Sequence, residues 1–498
     1  MTQATQQTAS QRHVPDGIVL ALACVAQFMV VLDVSIVNVA LPSIGHDLKY
    51  SPSGLQWVVN AYVLTFAGFL LLGGRAADLF GRRRIYIFGL GLFTLASLAG
   101  GLAQDSGWLT AARAVQGVGG AFLSPATLTI IVTTFTDHQR RTKAIGLWSA
   151  VAGAGGAAGS ILGGVLTAEL SWRWVLFVNL PIGAIAIAVA AVYLTELRRP
   201  EGAGGRQRLD IGGVVTITAG LGALVYAIIE TSTHPWLSAD TLSMLAVAAV
   251  LLAAFAVIEY RVASAPLVPF GLFSIRSVAG ANVVMLPVGA AFFSMWYFLS
   301  LYFQDVLGYS ALRAGLAFIP MALAIIIGAQ ISPRLLPRTG LRPLIAAALL
   351  LAAVGFAWLA QIPPHPAFLT HVLGPGCVVA LAIGLLFTPL ASAATTGVPL
   401  SQAGLSSGVL NTSRQVGGSI GLAALATVAV DRTHTVLANG QSTASALTSG
   451  YDRAFVIAAV LNLAGLACSL LIRTAAPTPT VVDQQQPQPQ ASREPERL

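Results

Sequence analysis

"IVLALACVAQFMVVLDVSIVNVALPSI", residues 18–44, is apolar almost throughout. As a helix rising 1.5 Å per residue it is about 40 Å long, enough to cross a hydrocarbon core of about 30 Å. Two residues break its character, an acid, Asp33, and an amide, Asn38. Working outward, runs of similar length recur along nearly the whole chain, separated by Gly, Pro and charged clusters. They predict helices over 17–41, 54–74, 85–104, 107–134, 142–168, 174–195, 211–230, 240–260, 277–304, 311–332, 341–361, 368–396, 405–430 and 452–473.

The composition agrees. Of 498 residues, 56% are hydrophobic and 9% charged, and the mean hydropathy is +0.78; soluble domains carry about 25% charged residues. The fold class is an all-α integral membrane protein with about 14 transmembrane helices, since a β-barrel would show short alternating segments. The first apolar segment lacks a strongly basic start and a small-residue cleavage site, so it reads as a retained helix and not a signal peptide. Cys24, Cys377 and Cys468 sit in apolar segments without C-x-x-C or zinc spacing and read as packing residues. No metal site and no cofactor is expected. An enzyme or sensor would need a catalytic constellation or a soluble domain, and the sequence offers no H-E-x-x-H and no loop large enough for one. ATP-driven pumping is disfavoured as well: the only lysines, Lys49 and Lys143, do not follow glycine as a phosphate-binding loop requires.

An even number of spans puts both termini on one side of the membrane. Lys and Arg on that side, among them Arg75, Arg82, Arg83, Arg84, Arg140, Arg141 and Lys143, outnumber Lys49, Arg173, Arg313, Arg432 and Arg453 on the other by four to one. Positive charge concentrates in cytoplasmic loops, so both termini are expected in the cytoplasm of a cell bounded by this inner, cytoplasmic membrane. The net charge of +8 is thereby accounted for by loop anchoring, and a nucleic-acid partner has no support.

"GRAADLFGRRR" (74–84) aligns with "PRLLPRTGLRP" (333–343), matching Arg75 to Arg334, Gly81 to Gly340 and Arg83 to Arg342. Each stretch follows the second helix of a six-helix set. The economical organisation is two pseudo-repeat six-helix bundles, as in secondary transporters. It runs as a cytoplasmic N-terminal tail over 1–16, a first bundle over 17–195, and a cytoplasmic linker plus two additional helices over 196–276. A second bundle over 277–474 and a disordered Gln/Pro-rich cytoplasmic tail over 475–498 complete it.

Several stretches resemble the major facilitator superfamily. "GRAADLFGRRR" is similar to its loop between helices 2 and 3, and "LTAARAVQGVGGA" (109–121) to its helix-4 pattern. "GAGGAAGSILGG" (153–164) is similar to the helix-5 glycine motif associated with antiporters, departing from it at Gly156 and Ser160, where that motif often has proline. "LDVSIVNVALP" (32–42), "SWRWVLFVNLPIG" (171–183), "YFQDVLGYSALRAGLAFIP" (302–320) and "GLSSGVLNTSRQVGGSIG" (404–421) resemble the fourteen-helix drug:proton antiporters within it. The resemblance covers nearly the whole chain between the tails. It implies alternating access and export of amphipathic drugs or antibiotics driven by a proton gradient.

The resemblance also implies that helices 1 and 4 face one another. Counting along the predicted helices, Asp33 lies about 10 Å and Arg113 about 9 Å in from their outer ends, so the two charges come within range. An aspartate deep in a span is unfavourable by about 2.5–3.5 kcal/mol on insertion scales and marks an ion or substrate path. A carboxyl whose burial disfavours charge and whose cationic neighbour favours it can be moved across the working pH by a small rearrangement. Asp33 and Arg113 are thus the expected proton-coupling pair; a static ion pair joining helices 1 and 4 is the other reading.

In the 2–3 loop, Gly74 and Gly81 permit tight backbone geometry. There Asp78 can accept from Arg82 or sit at a helix N-terminus of the opposite bundle. These four form the expected conformational switch, with Arg83 and Arg84 as anchors. Gly155, Gly159 and Gly163 fall at i, i+4 and i+8, with Gly164 adjacent, a face that admits a neighbouring helix closely. Arg414 lies about 15 Å into helix 13, a helix without acidic residues. It pairs with carbonyls or amides, or favours anionic or neutral substrates. With Asn411 and Gln415 beside it, and with Asn38, Gln116, Trp296 and Tyr297, it makes up the expected substrate cavity. Asn38, five residues from Asp33, faces away from it on an ideal helix, toward a hydrogen bond with a neighbouring helix or toward substrate. The expected partners are small amphipathic substrates, protons and the lipid bilayer, for a chain acting as a monomer. A same-fold carrier of an endogenous metabolite, by symport or export, is the alternative.

Overall fold

Fourteen helices long and apolar enough to cross a membrane make up the computed structural model, which describes residues 16–194, 210–231, 234–263, 266–363, 367–399 and 402–472. The two tails, but for Asp16, and the start of the expected linker lie outside the described residues, as does the side chain of Asp78. In chain order the helices are α1 (Asp16–Asp47), α2 (Trp57–Phe80), α3 (Arg82–Gly101), α4 (Ser106–Thr134) and α5 (His138–Glu169). Next come α6 (Trp174–Tyr193), α7 (Ile211–Glu230), α8 (Ala239–Val262), α9 (Arg276–Val306) and α10 (Ala311–Thr339). The last four are α11 (Leu341–Leu359), α12 (Leu369–Thr395), α13 (Ala403–Ala438) and α14 (Thr443–Leu471). No strand occurs among the described residues.

Several helices begin where a short polar side chain caps free backbone N–H groups. Asp105 accepts from Trp108 N at 2.8 Å, Asp137 from Arg140 N at 2.9 Å and Asp210 from Gly213 N at 2.8 Å. Glycines then set how closely helices approach. A Cβ on Gly117 would lie 2.3 Å from Tyr62 O, and one on Gly119 2.6 Å from Phe93 N, so α4 rides directly on α2 and α3. Along α5, a Cβ on Gly155, Gly159 or Gly163 would meet Phe28 O at 3.0 Å, Leu32 O at 2.8 Å or Ile36 O at 2.7 Å. The i, i+4, i+8 face is the seam with α1.

Three expectations about helix limits need correction. The polar stretch 431–451, read as a loop, is helical on both sides of a turn at 439–442, because Ser442 caps α14 through Ser445 N and Gly440 supplies a positive φ of 75°. Hydropathy registers the end of the membrane, not the end of a helix. For the same reason α1 runs on to Asp47, which leaves Asp33 about 21 Å from that end. The stretch read as the 2–3 loop is also helical: α2 continues through Gly74 to Phe80, and a single residue, Gly81 (φ +97°), turns the chain into α3. Gly74 therefore supplies no tight turn.

The counterpart in the second set of helices has the same build. Gly340 (φ +81°) alone separates α10 from α11. Two residues after each turn an arginine reaches the far end of the sixth helix of its set. Arg83 Nη2 donates to Ala191 O at 2.6 Å, and Arg342 donates through Nη2 to Leu470 O at 2.9 Å and through Nε to Ile472 O.

Hydrogen bonds join the two sets at the end away from these turns. Ser300 Oγ donates to Asn38 O at 2.5 Å and Gln304 Nε2 to Val39 O at 2.9 Å, joining α9 to α1. Beside them α10 packs on α5: a Cβ on Gly164 would fall 2.7 Å from Ala311 O and 2.8 Å from Leu312 Cα, and one on Gly315 2.2 Å from Ser160 O. Gly164→Ala should pry this contact apart. Overpacking of about 1–3 kcal/mol corresponds to roughly five- to a hundredfold loss of the closed arrangement. A cysteine placed at the buried Ser300, in a background lacking the native cysteines, should then react correspondingly faster with a membrane-impermeant maleimide; an unchanged rate would show that Gly164 does not set the closure.

Candidate functional site

Five helices of the first set converge on Asp33. Its side chain is fully buried, and that of Arg113 is 2% exposed. Arg113 Nη1 donates to Asp33 Oδ2 at 2.5 Å. Gln116 Nε2 donates to Asp33 Oδ1 at 2.6 Å, and Asn179 Nδ2 reaches the same oxygen at 3.2 Å. Ser97 Oγ accepts from both amides, at 2.8 and 3.3 Å. Arg113 is itself held by Gln116 Oε1 at 2.6 Å and Val58 O at 3.0 Å, with its guanidinium 4.5 Å from the centre of the Tyr62 ring. The close α2–α4 packing at Gly117 is what brings Arg113 within reach of Val58 O.

Both carboxylate oxygens receive donors, one of them charged, at a fully buried position. The same geometry makes neutralisation consequential. A proton on Asp33 would leave Arg113 without a counter-charge at depth, and removing one member of a buried pair is unfavourable by about 3–5 kcal/mol. The Tyr62 hydroxyl and Asn179 Oδ1 have no hydrogen-bond partner in the structure, polar capacity that a shifted arrangement can use.

The structure distributes the expected cavity residues over four places. Gln116 belongs to the Asp33 cluster, because its amide bridges Asp33, Arg113 and Ser97. Asn38 turns its Nδ2 onto Val34 O of its own helix at 2.8 Å, and its backbone carbonyl, not its side chain, makes the bond to α9. Tyr297 is 2% exposed and packed edge-on against Phe298 in the core. Only Trp296, Asn411, Arg414 and Gln415 stay near one another's helices in the second set. Arg414 Nη2 donates to Asn411 Oδ1 at 2.7 Å, while its Nε, Gln415 Oε1 and Trp296 Nε1 have no partner among the described residues. Arg82 opens α3 immediately after the Gly81 turn. A further buried acid, Glu259 near the end of α8, accepts from Leu267 N and Val268 N at 3.2 Å and so fastens the chain leaving the extra pair.

Residues 23–422 match the family model of the Major Facilitator Superfamily. The chain belongs to that superfamily. This facilitator is 46% identical to the cephamycin export protein of Amycolatopsis lactamdurans over 89% of its own length and 90% of that protein's. It is 42% identical to the puromycin resistance protein of Streptomyces alboniger, over 89% and 87% of the two chains. Among solved structures it is similar to a bacterial homologue of the human lysosomal transporter Spinster, with a TM-score of 0.65 at 17% identity over 92% and 96% of the two chains. It is thus a multi-pass membrane transporter with antibiotic exporters and resistance proteins as relatives.

Sequence reasoning missed Asn179, Ser97 and Tyr62. Asn179 lay inside a stretch already singled out, and a signal was available. It sits about 8 Å from the start of α6, an amide in an apolar run, as Asn38 is. Ser97 and Tyr62 carry no such signal, since a lone serine or tyrosine in a span is ordinary and only the packing of α2, α3 and α4 brings them to the acid.

Proposed function

We propose that this facilitator exports amphipathic drugs or antibiotics from the cytoplasm in exchange for protons, by alternating access. It does so as a monomer in the cytoplasmic membrane, with both termini inside. The observation that carries the reading is the fully buried Asp33, bonded to Arg113 and Gln116 of α4 and to Asn179 of α6. The hydrogen bonds of α9 to α1, between the two helix sets, lie at the end away from the termini. On this reading the structure is an inward-facing state, with Asp33 ionised after releasing its proton and the cavity open to load drug. In the outward-facing state a proton entering from outside neutralises Asp33, loosens Arg113 and permits return. The driving force is about 2.3 kcal/mol per charge for each 100 mV. Asp78, Gly81 and Arg82 serve as the switch at the cytoplasmic end. The bundles 17–195 and 277–474 are the moving bodies, and the glycine face of α5 is the bearing between α1 and α10.

The test is a proteoliposome assay with a pH dye inside. Adding a transported antibiotic should evoke proton movement opposite in direction to the drug. Movement of both in the same direction would point instead to symport of an endogenous metabolite and sink the antiport reading.

A further inference from the structure

Arg414 stands apart from the Asp33 cluster, in the second set of helices, and nothing in the proton cycle uses it. Among the described residues its only hydrogen-bond partner through the side chain is neutral, Asn411 Oδ1 at 2.7 Å, and its Nε is without a partner. No carboxylate lies within ion-pair distance of it among the described residues. The backbone around it is fixed. A Cβ on Gly289 of α9 would sit 2.1 Å from Arg414 O, and one on Gly417 2.2 Å from Leu286 O, so α13 cannot slide or rotate to hide the side chain. An unpaired cation within a span is unfavourable unless it faces a cavity and meets an opposite charge there.

What flanks the guanidinium is aromatic. It lies 5.7 Å from the centre of the Phe387 ring; Phe387 is 6.5 Å from Phe292, and Phe292 is 6.5 Å from Trp296. Arg414, Asn411, Phe387, Phe292 and Trp296 are all half-buried. Trp296 Nε1 adds a polar group without a partner among the described residues. The surface is an apolar arc drawn from α9 and α12, ending in a forked cation on α13 whose free N–H geometry matches a carboxylate.

We infer that the cargo is an amphipathic anion, with a carboxylate head on Arg414 and an aromatic or hydrocarbon body along Phe387, Phe292 and Trp296. This rests on the export reading above and narrows it. A cationic drug would meet like charge at the one strongly polar point of the arc, so the site selects against it. Export of such an anion in exchange for a proton would also move charge in a favourable direction, since an inside-negative potential drives the anion out and the proton in.

The experiment uses three compounds with one apolar body: 1-naphthylacetate, its methyl ester and 2-(1-naphthyl)ethylamine. Binding to the purified full-length protein is measured by equilibrium dialysis. The carboxylate should bind roughly tenfold or more tightly than the ester, and the amine most weakly. Arg414→Gln should abolish the difference by weakening the carboxylate alone, while Arg414→Lys retains part of it; unchanged ester binding shows that the Gln variant is folded. Equal binding of all three, preference for the amine, lack of carboxylate binding, or a carboxylate preference that survives Arg414→Gln overturns the inference. Drug-evoked proton movement is measured separately in proteoliposomes. Its absence would fell the antiport reading, and its presence with a cation-preferring site would fell only this one.

Discussion

Asp33→Asn removes proton-driven accumulation while leaving passage of substrate down its own gradient. Asn has the size of Asp and the charge of its protonated form, so the helix-to-helix spacing is kept and only the ability to gain and lose a proton goes. The substitution also turns an acceptor-only group into one with a donor. Arg113 Nη1, Gln116 Nε2 and Asn179 Nδ2 all point donors at this side chain, and the amide can accept through one atom alone. The variant is thereby biased away from the arrangement seen here and toward the one that follows protonation. Each proton lost from the cycle removes about 2.3 kcal/mol per 100 mV, or roughly a fiftyfold accumulation ratio. Uptake into inverted vesicles with an imposed pH gradient checks it: accumulation should fall to equilibration, whereas counterflow of labelled against unlabelled substrate persists. Accumulation at the wild-type level would remove Asp33 from the mechanism.

Arg113→Met should be the most damaging single change to stability in the first set of helices. It strips the charge from beside Asp33, the bond to Val58 O and the cation over the Tyr62 ring at once. An uncompensated buried carboxylate is unfavourable by about 3–5 kcal/mol. The double variant Asp33→Asn with Arg113→Met has no charge left in this cluster, so it should recover most of that loss in thermal melts of the detergent-purified protein, without recovering proton coupling. The pair separates two roles that a single substitution mixes. If the single variant melts with the wild type, or the double variant is no more stable than the single, the ion pair carries little of the stability assigned to it.

Much of the fold could be read from the chain because hydrocarbon imposes a strict length on apolar runs. Fourteen such runs were expected and fourteen spanning helices are observed. What could not be read is how far each helix continues once it leaves the lipid. Residues 431–451 look like a loop by hydropathy, yet nothing in them stops a helix before Asn439 and Gly440. Likewise "RAADLF" in 75–80 carries charge without any breaker, and only the positive φ at Gly81 ends α2. For the site, Asp33 and Arg113 were visible as charges where charge is unfavourable. Their contact was reached by an argument from depth that the longer α1 undoes; they meet because α1 crosses α4 there, not because their helices end together. Gln116 was seen and given a different place, since spacing along α4 shows which residues share a face but not what that face meets.

The extra pair has a consequence for lipid. α7 lies against α2 and α13 together: a Cβ on Gly68 of α2 would meet Thr218, and Thr427 Oγ1 of α13 donates to Ile228 O of α7 at 3.2 Å. Leu64, Leu221 and Ala423 close the same joint with hydrocarbon. On this flank an acyl chain touches α7 before it can touch the crevice behind. On the opposite flank α5 and α10 meet with no third helix laid over both among the described residues. The molecule thus has one flank upholstered by a third helix and one left bare, where lipid meets the joint of the two sets directly.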